Sequence, residues 1–165
     1  MLLIGGVLLN YYNEIKNELI NNEVYGKVKD YSKNRHDLET RYNVGKLLSE
    51  AGKHYGEGII KEYSKRLTNE LGKGYTTTNL KYMRQFYLYI QKSQQLADQL
   101  SWSHYRILLS IDNIDKVNYY INKVITNHIG VRELERIIKL KEYERLDDNP
   151  KIKLINNEDY MIQHH

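Results

Sequence analysis

Cysteine is absent from the 165 residues. Disulfides and thiolate metal sites are therefore excluded, and a reducing, cytoplasmic setting is the natural expectation. Proline occurs once, at Pro150. So long a proline-free stretch, rich in Lys, Glu, Leu and Ile, favours helices over a strand-rich fold. No hydrophobic run reaches the ~20 residues that a membrane span needs. The apolar opening MLLIGGVLLN also lacks the basic start and small-residue cleavage site of an export signal. A helix-docking end or a poorly ordered start is expected there, with no membrane association.

Trp and Phe occur once each, but there are 16 tyrosines. A tyrosine offers an apolar ring and a wet hydroxyl, so many should sit at the edge of the core. Asn, Ile, Lys and Tyr also share AT-rich codons, and the aromatic count by itself marks no site. His36, His54, His104 and His128 lack ligand spacing. His164 and His165 have the look of a purification tag and enter no metal argument.

Periodicity divides the chain into six or seven helices. A first helix is expected from Tyr11 to about Tyr31. A second, with Tyr42, Leu47 and Leu48, should end at Ala51-Gly52. Ile59, Ile60, Tyr63, Leu67 and Leu71 form one stripe. Gly72-Lys73-Gly74-Tyr75 breaks that helix, and Thr76 to Thr78 offer caps for the next, which carries Leu80, Met83, Tyr87 and Ile90. Ser101 caps a short helix with Trp102, Tyr105 and Leu109. Another runs from Ile114 to about Thr126, and Val131 to Lys139 follows Gly130. The expected core includes Ile60, Leu67, Leu71, Leu80, Met83, Tyr87, Trp102, Leu109, Leu134 and Ile138. No alternating strand pattern of useful length is present. Residues 1–146 read as one all-α domain, and 147–165 as a polar linker or tail.

The two helices spanning Ile59 to Lys92, joined by a short glycine-bearing turn, have the outline of a helix-turn-helix. Seven basic and two acidic residues fall there, and the rest of the chain carries 18 basic and 19 acidic ones. The basic excess of the chain thus lies in this hairpin. Candidate nucleic-acid contacts are Lys65, Arg66, Lys73, Thr76, Thr77, Thr78, Lys81, Arg84 and Gln85. They combine cations, hydroxyls and an amide near the positive end of a helix dipole. On the same reading, replacing Lys81 and Arg84 by Glu should abolish DNA binding without unfolding the chain. A solvated basic face shares this pattern. Trp102 and Tyr105 share a helical face, which favours core packing over a functional surface. Arg132 and Arg136 read first as surface partners of Glu133 and Glu135, and second as phosphate contacts.

YNVGKLLSEAG (Tyr42 to Gly52), YGEGIIKEYSKRLTNELGKGYTTTNLKYMRQFY (Tyr55 to Tyr87), LSWSHYRILLSI (Leu100 to Ile111), VRELERII (Val131 to Ile138) and KEYERL (Lys141 to Leu146) together resemble the N-terminal domain of the YhcG family of bacterial and mobile-element proteins. The resemblance runs from about Tyr11 to Leu146. It implies a helix-turn-helix module, with a winged variant left open, that binds duplex DNA. In full-length relatives a PD-(D/E)xK nuclease domain follows. That chemistry needs an Asp and a Glu around a divalent cation and a Lys beside the attacking water. The sole E-x-K triplet, Glu14-Ile15-Lys16, has no upstream acidic partner. H-E-x-x-H, P-loop and G-x-S-x-G motifs are absent. The expectation is a non-catalytic chain with no cofactor and with the nuclease domain missing. DNA is the expected partner, and self-association is left open. The alternative is a phage or mobile-element interaction module that inhibits a host defence enzyme or pairs with a separate nuclease subunit.

Overall fold

In the computed structural model, residues 2–4, 7–27 and 32–147 are described. The expected tail from 147 onward lies, beyond Asp147, outside them. So does the end of the first helix expected near Tyr31.

The fold is all-α. Its helices are α1 (Tyr11–Gly26), α2 (Lys33–Tyr55), α3 (Gly58–Leu71), α4 (Thr77–Ser93), α5 (Trp102–Leu108), α6 (Ile114–Asn127), α7 (Val131–Lys139) and α8 (Glu142–Asp147). Ahead of them, β1 (Leu2–Ile4) and β2 (Val7–Leu9) pair antiparallel, with Leu2 opposite Leu9. The apolar start thus contributes a small antiparallel strand pair, which the sequence reading did not foresee. All six of its strand residues are apolar, so no period-2 alternation was available to reveal it. No strand follows α4 or α7 among the described residues, so a wing after either helix has no support there.

Side-chain caps set most of the helix starts. Asn10, Thr76 and Asn113 each accept from a first-turn amide of α1, α4 and α6 at 2.9–3.2 Å, which satisfies donors that no carbonyl of the helix can reach. Ser101 and His104 form a reciprocal box. The Ser101 hydroxyl accepts the His104 amide at 3.3 Å, and His104 Nδ1 accepts the Ser101 amide at 3.0 Å.

The second helix differs from expectation. It begins at Lys33 and passes straight through Ala51-Gly52. Ala51 is buried, and its contacts outweigh the modest helix penalty of one glycine. The stop comes at Gly56, whose φ of 85° breaks the helical path.

Two compact units, Met1–Leu109 and Ser110–His165, divide the chain. In the first, α2 is the central helix and packs against α1, α3 and α4. Ile15, Leu48, Ile60, Leu67, Leu80 and Met83 are fully buried there. A Cβ on Gly45 would lie 2.1 Å from the Met83 carbonyl oxygen, so α2 and α4 touch backbone to side-chain-free backbone. Phe86 meets the Trp102 ring edge-on at 5.4 Å and the Tyr105 ring at 4.7 Å. The buried Tyr105 hydroxyl pins the loop before α5, accepting the Ala97 amide at 2.9 Å and donating to its carbonyl at 3.3 Å. These contacts put Trp102 and Tyr105 in the packing of the unit. Of the expected core, Leu71, Tyr87, Trp102 and Ile138 are half-buried and the other six are buried.

In the second unit, α6 buries Val117, Tyr120, Ile121 and Val124, and α7 buries Leu134 and Ile137. The Tyr120 hydroxyl accepts the Tyr143 amide at 3.2 Å, fastening the start of α8.

Candidate nucleic-acid interface

Five residues, Gly72 to Thr76, link α3 to α4. Gly72 and Gly74 take φ of 98° and 106°, values at which a side chain would be strained. The turn is held from within. The buried Ser64 hydroxyl donates to the Tyr75 carbonyl at 2.7 Å, and Asn79 Nδ2 to the Gly74 carbonyl at 3.0 Å. The Tyr75 ring is buried and its hydroxyl donates to Glu23 at 3.2 Å. Burial first, and the Glu23 carboxylate second, raise its pKa. The front of α4 therefore rests on a rigid base.

Around this base the structure separates the nine candidate residues. Lys65, Lys73 and Lys81 are exposed and have no ion-pair partner among the described residues. Thr76 and Thr78 are exposed and Thr77 is half-buried. Thr76 is already engaged as the cap. These six residues line the outer side of α3, the turn and the first turns of α4.

The remaining three candidates have internal partners. Arg84 is half-buried and its Nη1 lies 2.7 Å from Glu57 just ahead of α3, so it ties α4 to the start of α3. The Arg66 guanidinium sits 3.6 Å from the centre of the Tyr12 ring on α1, a geometry that favours cation–π attraction. Burial, with Glu70 adding to it, pushes the Tyr12 phenol up to about 12. Glu70 pairs with Lys16, which lowers the pKa of Glu70. Gln85 is exposed, with a long contact of 3.4 Å from Nε2 to the Leu109 carbonyl.

One cation was missing from the sequence reading. Arg106 on α5 is exposed and lies 5.3 Å from the Tyr82 ring centre, beside Lys81 on α4. Its signal was present in the sequence. With Trp102, Tyr105 and Leu109 facing inward, the helical period turns Arg106 outward.

The Glu14-Ile15-Lys16 triplet does not converge on a point. Ile15 is fully buried, Glu14 is exposed, and Lys16 is engaged with Glu70. Among the described residues, no three His, Asp or Glu side chains gather as a metal-holding group. No helix there is long and apolar enough to cross a membrane.

The nine candidate residues all lie within residues 16–145. That span matches the DUF1016 N-terminal domain, and the chain belongs to this family. It is also 30% identical to a protein of Escherichia coli (strain K12) described as "Putative nuclease YhcG", over 58% of this chain and 34% of the relative. The chain thus spans about a third of that relative's length. No solved structure matches it significantly.

Proposed function

We propose that this chain is a duplex-DNA-binding module of a YhcG-like, nuclease-associated protein and is itself non-catalytic. One observation carries the reading. Lys65 on α3, Lys73 in the turn and Lys81 on α4 stand exposed, with no ion-pair partner among the described residues, and Lys73 and Lys81 flank Thr76 and Thr78 in sequence near the positive end of the 17-residue helix α4. Cations that hold no ion-pair partner among the described residues are suited to phosphates, and the helix dipole adds to the field at the start of α4. The near balance of charge elsewhere in the chain directs that field to one rim. Arg84 and Arg66 serve the rim indirectly, by fixing α4 and α1 against α3.

The test is fluorescence anisotropy of a labelled duplex over a salt series. Binding should weaken steeply with salt, since each phosphate contact contributes about −0.9 to the slope of log K against log salt. Parent protein that binds no duplex at low salt would overturn the reading.

A second reading has its own support. Leu88 is 48% exposed and shares the outer stripe of α4 with Lys81, Gln85 and Lys92. An apolar side chain there favours a protein partner, as in an interaction module from a phage or mobile element. If Leu88→Lys abolishes capture of a separately encoded nuclease subunit while duplex binding is absent throughout, that reading takes precedence. The non-catalytic part is tested by adding magnesium or manganese to the pure chain with plasmid DNA. Nicking that disappears in Glu14→Gln would overturn it.

A further inference from the structure

Between Glu70 and Asp112 the chain carries a single acidic residue, Asp98. That carboxylate is engaged by Arg35, with Nη1 2.8 Å from Oδ2. The stretch includes all of α4 and α5, so neither helix contributes a carboxylate to the surface they share. Both belong to the first compact unit. They meet through Phe86, whose ring packs against Trp102 and Tyr105.

Outside that contact the two helices form a seam of cations and tyrosines. Lys81, Gln85 and Lys92 are exposed on one stripe of α4. On the flank of that stripe toward α5, the helical period places Tyr82 and Tyr89 one above the other, both half-buried. Arg106, exposed on α5, holds its guanidinium 5.3 Å from the centre of the Tyr82 ring. Lys81, Lys92 and Arg106 have no ion-pair partner among the described residues. Lys81 is also the last cation of the rim described above, so the seam continues from that rim along the same helix.

The chemistry of the seam differs from that of the rim. Cations and hydroxyls serve a duplex, which offers its phosphates and base edges. Rings and guanidinium planes serve unpaired strands, because a base exposes its flat face only when it leaves the stack. A guanidinium already laid beside a tyrosine adds a second flat, charged surface to the ring. The distance is also adequate. From Lys81 to Lys92 the helix covers roughly 16 Å, which accommodates about four or five nucleotides at a stacked spacing of about 3.4 Å.

We infer that the α4–α5 seam binds an unpaired DNA strand, with Tyr82 and Arg106 stacking on bases and Lys92 meeting phosphate. The inference rests on the duplex-binding reading above and deepens it. With duplex on the rim and the strand running on along α4, the preferred substrate is a duplex that carries a single-stranded arm.

The experiment compares anisotropy titrations of the full chain with a plain duplex and with the same duplex bearing a single-stranded arm. The parent should bind the armed duplex more tightly, on the order of tenfold. Tyr82→Leu removes the ring and should lose that preference while binding plain duplex as the parent does, and Tyr82→Phe should keep it. Circular dichroism and Tm establish that each variant is folded. Lys92→Gln with Arg106→Gln alters only exposed side chains, so it decides the matter even if Tyr82→Leu does not fold. Its salt slope on the armed duplex should be shallower by about 0.7 per cation, roughly 1.4 in all, with the plain-duplex slope unchanged. Equal affinity of the parent for the two substrates would overturn the inference and leave the duplex reading standing. An unchanged slope in the double variant, or full preference in folded Tyr82→Leu, would overturn it as well. A parent that binds neither substrate at low salt would instead overturn the DNA reading itself.

Discussion

Along α4, Leu80, Met83, Phe86 and Ile90 are buried, whereas Lys81, Gln85, Leu88 and Lys92 are exposed. The inner face lies against α2 so closely that at Gly45 no side chain fits between the helices. The outer face has few internal partners. One helix thus carries a surface on which almost any change is felt by the fold and another on which charge is exchanged at little structural cost. Stability measurements and binding measurements should therefore separate by face.

The largest effect should come from the inner seam. Gly45→Val places a side chain against the Met83 carbonyl and the Tyr87 Cβ, at 2.1 and 2.8 Å from its first carbon. Backbone cannot yield as a flexible side chain can, so a loss of about 3 kcal/mol or more is expected in urea unfolding. Gly52 on the same helix provides the control. Nothing lies within 4 Å of a Cβ there, so Gly52→Ala should be neutral or stabilising by about 0.5–1 kcal/mol. Equal effects at the two glycines would break the comparison.

Next comes alkaline pH. Burial raises the Tyr105 phenol to about 12, outweighing the relief from its bond to Ala97. An unfolded tyrosine ionises near 10. Below that value both states keep the proton and the contribution is fully present. Between about 10 and 12 only the unfolded state loses the proton, so stability falls as pH rises, by on the order of 2 kcal/mol in all. Urea midpoints across this range should fall less steeply in Tyr105→Phe, which has no proton to lose there. Parallel slopes would mean that the phenol does not differ between folded and unfolded states.

Arg84 lies between the two faces. Its bond to Glu57 joins a half-buried side chain to an exposed one, so Arg84→Ala should cost about 0.5–1 kcal/mol. A double-mutant cycle with Glu57→Ala measures the pair itself. Coupling near zero, together with a large loss of duplex binding, would return Arg84 to the role that its position in the sequence suggested.

Period and punctuation made the inner face legible. Apolar spacing located α3 to α7, and Thr76 and Ser101 proved to be caps as expected, whereas the caps Asn10 and Asn113 were not foreseen. The limits of that reading were physical. Gly52 looked like a stop because a lone glycine lowers helix propensity, but packing around Ala51 carries α2 past it. Gly45 looked unremarkable because close approach depends on which helix lies opposite, something a one-dimensional pattern does not contain. For the same reason the nine candidate residues could be collected by charge but not sorted. The partners of Arg66 and Arg84 come from Tyr12 and Glu57, 54 and 27 positions away. On α7 the charge spacing was legible, because helical neighbours three residues apart meet locally: Arg136 is held by Glu133.

The smallest change in stability should accompany the clearest change in binding. Lys65, Lys73 and Lys81 lie on exposed backbone stretches of α3, the turn and α4, and none is paired among the described residues. Replacing all three by Gln removes no internal contact, so unfolding should shift by no more than about 0.5 kcal/mol. If each lysine neutralises one phosphate, the slope of log K against log salt should become shallower by about 0.9 for each, or roughly 2.7 for the set. A basic face that is merely solvated would leave the slope unchanged. Lys16 supplies the internal standard, because its charge is engaged by Glu70 on α3. Lys16→Gln should cost some stability and leave the salt slope alone. If instead Lys16→Gln flattens the slope and the triple variant does not, the DNA contact lies along α1 and the division of α4 into a folding face and a binding face fails.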